Sequence, residues 1–168
     1  PTAKVATYFF HAYYNALQAA FNNASNNDNN SSLSLKEFYG DESTGVIAVG
    51  ENRQTNAIGG SSIIEQVKHA IEANNNKNSM GDFKVDVEKA YFVRSQANSI
   101  VASTEGFLLF PTAEVPFTQT FHLTPTPRRQ ETYYIAAECL HLHPTKNCVA
   151  PEQQQQQQAT TTPAATQA

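Results

Sequence analysis

Three long stretches late in the chain decide the fold: SIVASTEGFLLF at 99–110, VPFTQTFHLT at 115–124 and TYYIAAECLHLH at 132–143. Each is rich in β-branched and aromatic residues, which favours a strand. The stretches are separated by turn residues, Pro111 with its neighbours in the first gap and residues 125–129 in the second. Because short connections between long strands join antiparallel neighbours, these stretches predict a curved meander.

One more strand precedes these three. Apolar Phe83, Val85 and Val87 alternate with charged residues, which is the period-2 pattern of a strand with one face in water. A brief strand is also predicted at 46–49, in the first half of the chain.

Helical periodicity governs the rest of the first half. Apolar and aromatic residues recur at i, i+4 and i+7 over 2–21, which predicts an amphipathic helix with an unusually aromatic face. A short second helix is predicted over 33–39, ended by Gly40. Ser62 and Glu65 have the spacing of a capping box and predict a third helix with Ser62 as its N-cap. The predicted fold is therefore α+β, with three helices packed on one strongly bent antiparallel sheet.

The composition excludes several classes of function. The 168 residues suit one domain of ordinary size, and 40% of them are apolar. A formal charge of −4 gives no electrostatic footprint for duplex nucleic acid. No stretch approaches the roughly 18 apolar residues of a membrane span, and the first residues lack the apolar core of a signal peptide. Cys139 and Cys148 make no disulfide framework, so a reduced, intracellular compartment is expected.

Polar runs of low complexity divide the chain. Asparagine-rich runs at 22–32 and 74–79 are predicted to be surface loops. Residues 151–168 contain six consecutive glutamines and no large apolar side chain, so burial cannot offset the entropy cost of ordering them. We therefore expect one domain at 1–146 and a disordered Gln/Thr/Pro-rich tail at 147–168, the start of a longer low-complexity region.

Four pieces of sequence carry a family resemblance. They are FFHAYYNAL at 9–17, EFYG at 37–40 followed by Ser43, FTQTFHLTP at 117–125 and YYI at 133–135. In this order they resemble nuclear transport factor 2-like domains, and within that fold the N-terminal domains of the Ras-GAP SH3-binding (Rasputin) stress-granule scaffolds. The resemblance implies a cone-like form of the predicted α+β fold and a homodimer made through the sheet faces.

The same resemblance implies a peptide-binding groove between the first two helices and the last strand. Carried over position by position, its walls are Val5, Phe9, Phe38 and Tyr133, which are all apolar or aromatic. Such a groove would bind Phe-containing linear motifs of the FG or FGDF kind, because a buried phenyl ring contributes both apolar area and ring packing. Glu37 departs from the scaffold family, in which this position tends to be basic.

These implications favour a non-enzymatic, dimeric adaptor that recruits Phe-containing proteins into stress granules and related mRNA–protein assemblies. We expect it in the cytoplasm, with shuttling to the nucleus or nuclear envelope. One alternative is a nuclear transport factor that carries the GTPase Ran, or an mRNA-export adaptor, either one binding FG nucleoporins. The other is a small-molecule isomerase or dehydratase of the same fold. Its acid or base would come from Glu105, Glu138 or His122, although Glu138 is equally a candidate for a salt bridge at the dimer face.

No cofactor, membrane contact or direct nucleic-acid contact is predicted for this domain, and no catalytic residue is assigned. Gly-rich phosphate loops and nucleophile motifs do not occur, and the one basic pair lies at 128–129 in a Pro-rich turn. Cys139, His141 and His143 alternate along one strand, with His122 on its neighbour. Without a Cys-x-x-Cys pair this pattern is too weak to predict a zinc site.

Overall fold

The computed structural model describes residues 2–22, 34–74, 83–127 and 129–144. The predicted tail and all but the first residue of each predicted Asn-rich loop lie outside these ranges. In chain order the elements are α1 (Thr2–Asn22), the 3-10 helix η1 (Leu35–Phe38), β1 (Tyr39–Val49), β2 (Arg53–Ile58), α2 (Gly60–Asn74), β3 (Lys84–Arg94), the 3-10 helix η2 (Gln96–Asn98), β4 (Ile100–Phe110), β5 (Ala113–Thr126) and β6 (Arg129–Leu142).

The six strands form one curved sheet in the order β2-β1-β6-β5-β4-β3. Strands β3 to β6 are consecutive antiparallel neighbours, so the predicted meander is confirmed. The sheet as a whole is mixed, however, because β1 runs parallel to β6. No hairpin joins these two strands in sequence, so their connection does not impose an antiparallel pairing.

The first helix is confirmed, but the other two predicted helices need correction. The second is only the four-residue turn η1, because the chain is already extended from Tyr39 onward. The third begins at Gly60, where the carbonyl of Gly59 accepts a hydrogen bond from the Ile63 amide at 3.0 Å. Ser62 is therefore inside the first turn of α2, and the predicted capping box is wrong. The described residues thus contain two α-helices, α1 and α2, and not three.

The core lies between α1 and the inner face of the sheet. In β4 every second residue from Ile100 to Phe110 is buried, and β5 follows the same alternation. The ring of Phe121 on β5 contacts Phe9 and Tyr13 on α1, with centroids 5.1 and 4.9 Å apart. Aromatic packing between helix and sheet therefore fills the interior, and neither of the two described α-helices covers the other face of the sheet. Neither α1 nor α2, in the ranges described, is long and apolar enough to cross a membrane.

Candidate peptide-binding groove

A groove of about 480 Å³ opens between α1, η1 and β6. The structure brings all four predicted wall residues together here: Val5 and Phe9 from α1, Phe38 from η1 and Tyr133 from β6. Ligand sites in proteins usually have volumes of about 300–1,000 Å³, so the groove is large enough for a peptide side chain and its flanks.

Two buried phenylalanines form the floor of the groove. Phe9 and Phe38 are 7% and 8% exposed and meet edge to face, with ring centroids 5.9 Å apart. Both rings also pack on Tyr13, at 5.8 and 5.6 Å, and Phe9 rests on Phe121. The rings are thus supported from the core side and leave the space above them open.

One stripe of α1 forms the helical wall. Val5, Tyr8, Phe9 and Ala12 have the spacing i, i+3, i+4 and i+7, which places them on one face of a helix. Tyr8 is 72% exposed and stands at the rim, while Ala12 leaves room beside Phe9. Sequence analysis did not assign Tyr8 and Ala12 to the site, although the same periodicity identifies them.

A buried serine holds η1 against β6. The Ser43 hydroxyl accepts a hydrogen bond from the Gly40 amide at 2.8 Å and donates one to the carbonyl of Ile135. These bonds bridge the irregular pairing at the start of β1, where the register with β6 shifts. Since Phe38 directly precedes β1, these bonds hold the backbone that follows it against β6.

Tyr133 forms the wall of the groove on the β6 side. Its side chain is half-buried, and its hydroxyl donates to the backbone carbonyl of Asn98, at 3.3 Å. Asn98 has a φ of 60°, an αL conformation that Asn tolerates better than most residues. The link between β3 and β4 therefore orients a wall residue of the groove.

A buried polar cluster lies behind the aromatic floor. The Tyr39 hydroxyl donates to Glu138 Oε2 at 3.0 Å and lies 3.1 Å from the Tyr13 hydroxyl. The Gln119 amide nitrogen donates to the Tyr13 hydroxyl at 3.2 Å, and Tyr14 donates to Gln119 Oε1 at 2.9 Å. Glu138 is 4% exposed, and its Oε1 has no hydrogen-bond partner among the described residues.

Burial raises the pKa of Glu138 to about 7, although hydrogen bonds from Tyr39, Gln119 and Tyr13 favour the charged form. A raised carboxyl pKa is the property that an isomerase of this fold would use. Glu138 nevertheless lines neither the groove nor two smaller cavities of about 340 Å³, one between α1 and β3 and one at the start of α2.

The other candidate acids and bases lie elsewhere. Glu105 and His122 are on the outer face of the sheet, where Glu105 pairs with Lys89 at 3.7 Å and His122 is exposed. Glu138 points to the inner face of the sheet and is buried there, so its side chain is not offered on the outer face for a salt bridge. The structure therefore separates the three residues that the enzyme hypothesis named.

The cysteine and histidines of β6 do not come together as a metal site. The rings of His141 and His143 are 4.0 Å apart. His141 Nε2 lies 2.9 Å from the Gly50 carbonyl, and His143 Nε2 lies 3.3 Å from the Thr118 hydroxyl. Across the ranges that the structure describes, no group of three or more His, Cys, Asp or Glu side chains is placed to hold a metal ion.

A curved six-stranded sheet packed on an aromatic helix, with a mostly apolar groove at the side of that helix, defines a class of small α+β domains. The chain matches the family model of the nuclear transport factor 2 (NTF2) domain over residues 5–142. The protein therefore belongs to the NTF2 domain family, as the four sequence pieces indicated.

Solved structures share the fold at low sequence identity. Nuclear transport factor 2 from Cryptosporidium parvum has 16% identity and a TM-score of 0.58, with 84% of this chain and 94% of that chain covered. A chain of the yeast deubiquitinase Ubp3 and Bre5 cofactor complex has 15% identity and a TM-score of 0.59, covering 87% and 99%. A putative aromatic ring hydroxylase from Novosphingobium aromaticivorans has 11% identity and a TM-score of 0.53, covering 84% and 92%. No curated protein matches the sequence. At these identities the likeness shows the fold alone.

Proposed function

We propose that this domain is a non-enzymatic, dimeric adaptor that binds Phe-containing linear motifs of the FG or FGDF kind. The observation that carries the proposal is the open apolar groove over the rings of Phe9 and Phe38. A phenylalanine that enters it would gain about 1.5–3 kcal/mol from burial, with a further contribution from edge-to-face ring packing.

A protein-binding role has support from the family. The family model spans nearly all of the described chain, and the matched yeast structure is a complex of a deubiquitinase with its cofactor Bre5. The likeness to the Rasputin stress-granule scaffolds supports the more specific role of recruiting proteins to mRNA–protein assemblies in the cytoplasm. A transport factor or export adaptor would use the same groove on FG nucleoporins.

We assign the homodimer to the outer face of the sheet. Tyr91 and Val93 on β3 are 55% and 61% exposed there. By register, Tyr91 lies beside Ser103 and Val93 beside Val101, and the same face continues through β5 to Cys139 on β6. Apolar side chains on an otherwise uncovered sheet face are suited to a self-complementary, two-fold contact.

One observation favours the enzyme as a second candidate. Glu138 combines full burial, a pKa near neutrality and hydrogen bonds from two tyrosines and a glutamine. These are the features of a proton-transfer residue. An isomerase or dehydratase would need a path from solvent to Glu138. A ligand that resembles the substrate would reveal this path if it protected the backbone amides around Glu138 from hydrogen exchange.

Fluorescence polarisation with labelled peptides tests the adaptor. An FGDF peptide and an FxFG peptide, each beside its Phe→Ala counterpart, separate the scaffold from the transport role. We expect the Phe→Ala change in the peptide to weaken binding at least about tenfold, because a loss of about 1.5 kcal/mol of burial free energy corresponds to roughly that change in affinity. Equal binding of the Phe and Ala peptides would contradict the proposal.

Variants of the groove complete this test. Phe38→Ala should abolish peptide binding and leave the dimer intact. Because the Phe38 ring also supports Tyr13, this variant is expected to lower stability as well. Ala12→Phe fills the groove without removing core atoms and should block binding, whereas Ala3→Phe, on an exposed part of α1, should not. If Ala12→Phe and Ala3→Phe both blocked binding, the loss would not come from filling the groove.

A further inference from the structure

The groove carries two opposite charges on different walls. Lys4 on α1 and Glu37 on η1 both line it. Within the described ranges no salt bridge involves Lys4 or Glu37, so neither charge is neutralised by a charged neighbour there. A ligand in the groove therefore meets a cation on one side and an anion on the other.

The N-terminus of α1 adds to the positive charge on the Lys4 side of the groove. Its first turn contains Lys4 and no acidic residue, so the unsatisfied amides of the helix N-terminus add to the positive charge of the side chain. Glu37, in contrast, directly precedes the floor residue Phe38. A cation placed against Glu37 would sit next to the site where a phenyl ring is bound.

From this arrangement we infer that Lys4 and Glu37 select ligands by charge order: the groove takes a Phe-anchored peptide with an acidic residue on one side of the anchor and a basic residue on the other. This inference rests on the proposed function, since it concerns the same groove. The acidic residue is expected to lie near Lys4 and the α1 N-terminus, and the basic residue near Glu37. For a peptide bound in the same chain direction, the reversed order would place like charges together on both walls and would be disfavoured.

Two peptides of identical composition test the inference: acetyl-Glu-Gly-Phe-Gly-Lys-amide and acetyl-Lys-Gly-Phe-Gly-Glu-amide, each with the same fluorescent label. They have equal net charge and the same anchor, so only charge order differs. For the wild-type chain we expect one order to bind about three- to tenfold more tightly than the other at low salt. The preference should shrink at about 300 mM salt, because surface ion pairs are screened there.

Charge-swapped variants identify the residues responsible. The double variant Lys4→Glu with Glu37→Lys keeps the net charge of the chain and should reverse the preferred order. Lys68→Glu with Glu42→Lys makes the same exchange away from the groove and should leave the preference unchanged. The inference would be overturned by Phe-dependent binding that shows no preference for charge order. It would also be overturned by a preference that the Lys4/Glu37 double variant does not reverse. Either result would leave the adaptor proposal intact. Loss of Phe dependence in all peptides would instead remove the proposed function.

Discussion

Glu138 shows how one buried residue links the core to the groove. Its Oε2 accepts a hydrogen bond from Tyr39, whose hydroxyl in turn lies 3.1 Å from that of Tyr13. Tyr13 supports both floor rings, Phe9 and Phe38. A carboxyl with one unpartnered oxygen costs free energy when it ionises in such surroundings, so its charge state is coupled to the stability of the whole cluster.

The raised pKa of Glu138 predicts that stability falls as the pH rises. Between about pH 4.5 and pH 7 the unfolded chain loses this proton while the folded chain keeps it, so the unfolded state is favoured progressively. The free energy of unfolding should drop by about 3 kcal/mol in total, since each unit of pKa difference contributes about 1.4 kcal/mol, and it should level off above about pH 8, where the folded chain has also lost the proton.

Urea unfolding of the wild type and of Glu138→Gln, at several values between about pH 4.5 and pH 8, measures this effect. Glutamine has nearly the same shape and does not titrate. The difference between the two unfolding free energies should therefore follow the titration of Glu138 alone. Parallel pH profiles for the two proteins would contradict the assigned pKa.

At the scale of elements, Gly106 marks a place where only glycine fits. A Cβ at this position would lie 2.0 Å from the backbone carbonyl oxygen of Asp86, where β3 bulges between Val87 and Lys89. Backbone atoms on both sides are fixed by strand pairing, so the clash cannot be relieved by moving a side chain.

Gly106→Ala is therefore expected to lower the free energy of unfolding by at least about 3 kcal/mol, the upper part of the range for overpacking. Gly50→Ala is the matched comparison. Gly50 has a φ of 62° but nothing within 4 Å of an added Cβ, so strain alone should cost about 1–2 kcal/mol. Denaturant unfolding measures both variants, and a smaller loss at Gly106 than at Gly50 would contradict the close approach.

The elements that sequence analysis predicted are those with a strong period. The helix at 2–21 and the last three meander strands were predicted within a few residues, because apolar residues recur along each over ten or more positions. For β3 only the alternating first half was predicted, because the burial alternation stops after Val87 while the strand continues to Arg94. Strand β2 was missed because RQTNAI buries only Ala57 and so shows no alternation. The first half of β1 was missed for a related reason. After Tyr39, the residues up to Thr44 are polar or glycine, so they show no apolar alternation. Their irregular pairing with β6 depends on the tertiary hydrogen bond of Ser43 to Ile135.

The site was predictable to the extent that it lies on local patterns. The four wall residues came from short motifs carried over by resemblance, and the structure places them in one groove. The buried cluster was not predicted as a unit, because Tyr39 and Glu138 are 99 positions apart and Tyr13 and Tyr39 are 26 apart. Such pairs are set by tertiary packing, which leaves no trace in local periodicity.

At the scale of the whole molecule, the groove and the proposed dimer face use different sides of the sheet. The groove lies on the helix side, with Tyr133 on the inner face of β6, while Cys139 lies on the outer face. A homodimer would therefore leave both grooves open. Two weak sites in one particle bind a ligand with repeated motifs much more tightly than either site alone.

This separation predicts that dimerisation controls avidity and leaves the intrinsic affinity of each groove unchanged. Cys139→Arg introduces a cation near the middle of the outer face, beside Thr120 on β5 and Val46 on β1, and should give a monomer in size-exclusion chromatography with light scattering. Its affinity for a peptide with one Phe motif should equal that of the wild type. Its affinity for a peptide with two motifs, joined by a linker long enough to reach both grooves, should fall by about tenfold to hundredfold or more.

The control is Ala73→Arg, at an exposed position of α2, which adds the same charge and should change neither the oligomeric state nor the affinity for the two-motif peptide. A Cys139→Arg chain that remains dimeric would place the contact on another surface. A monomer that keeps the full affinity for the two-motif peptide would show that the two grooves do not act together.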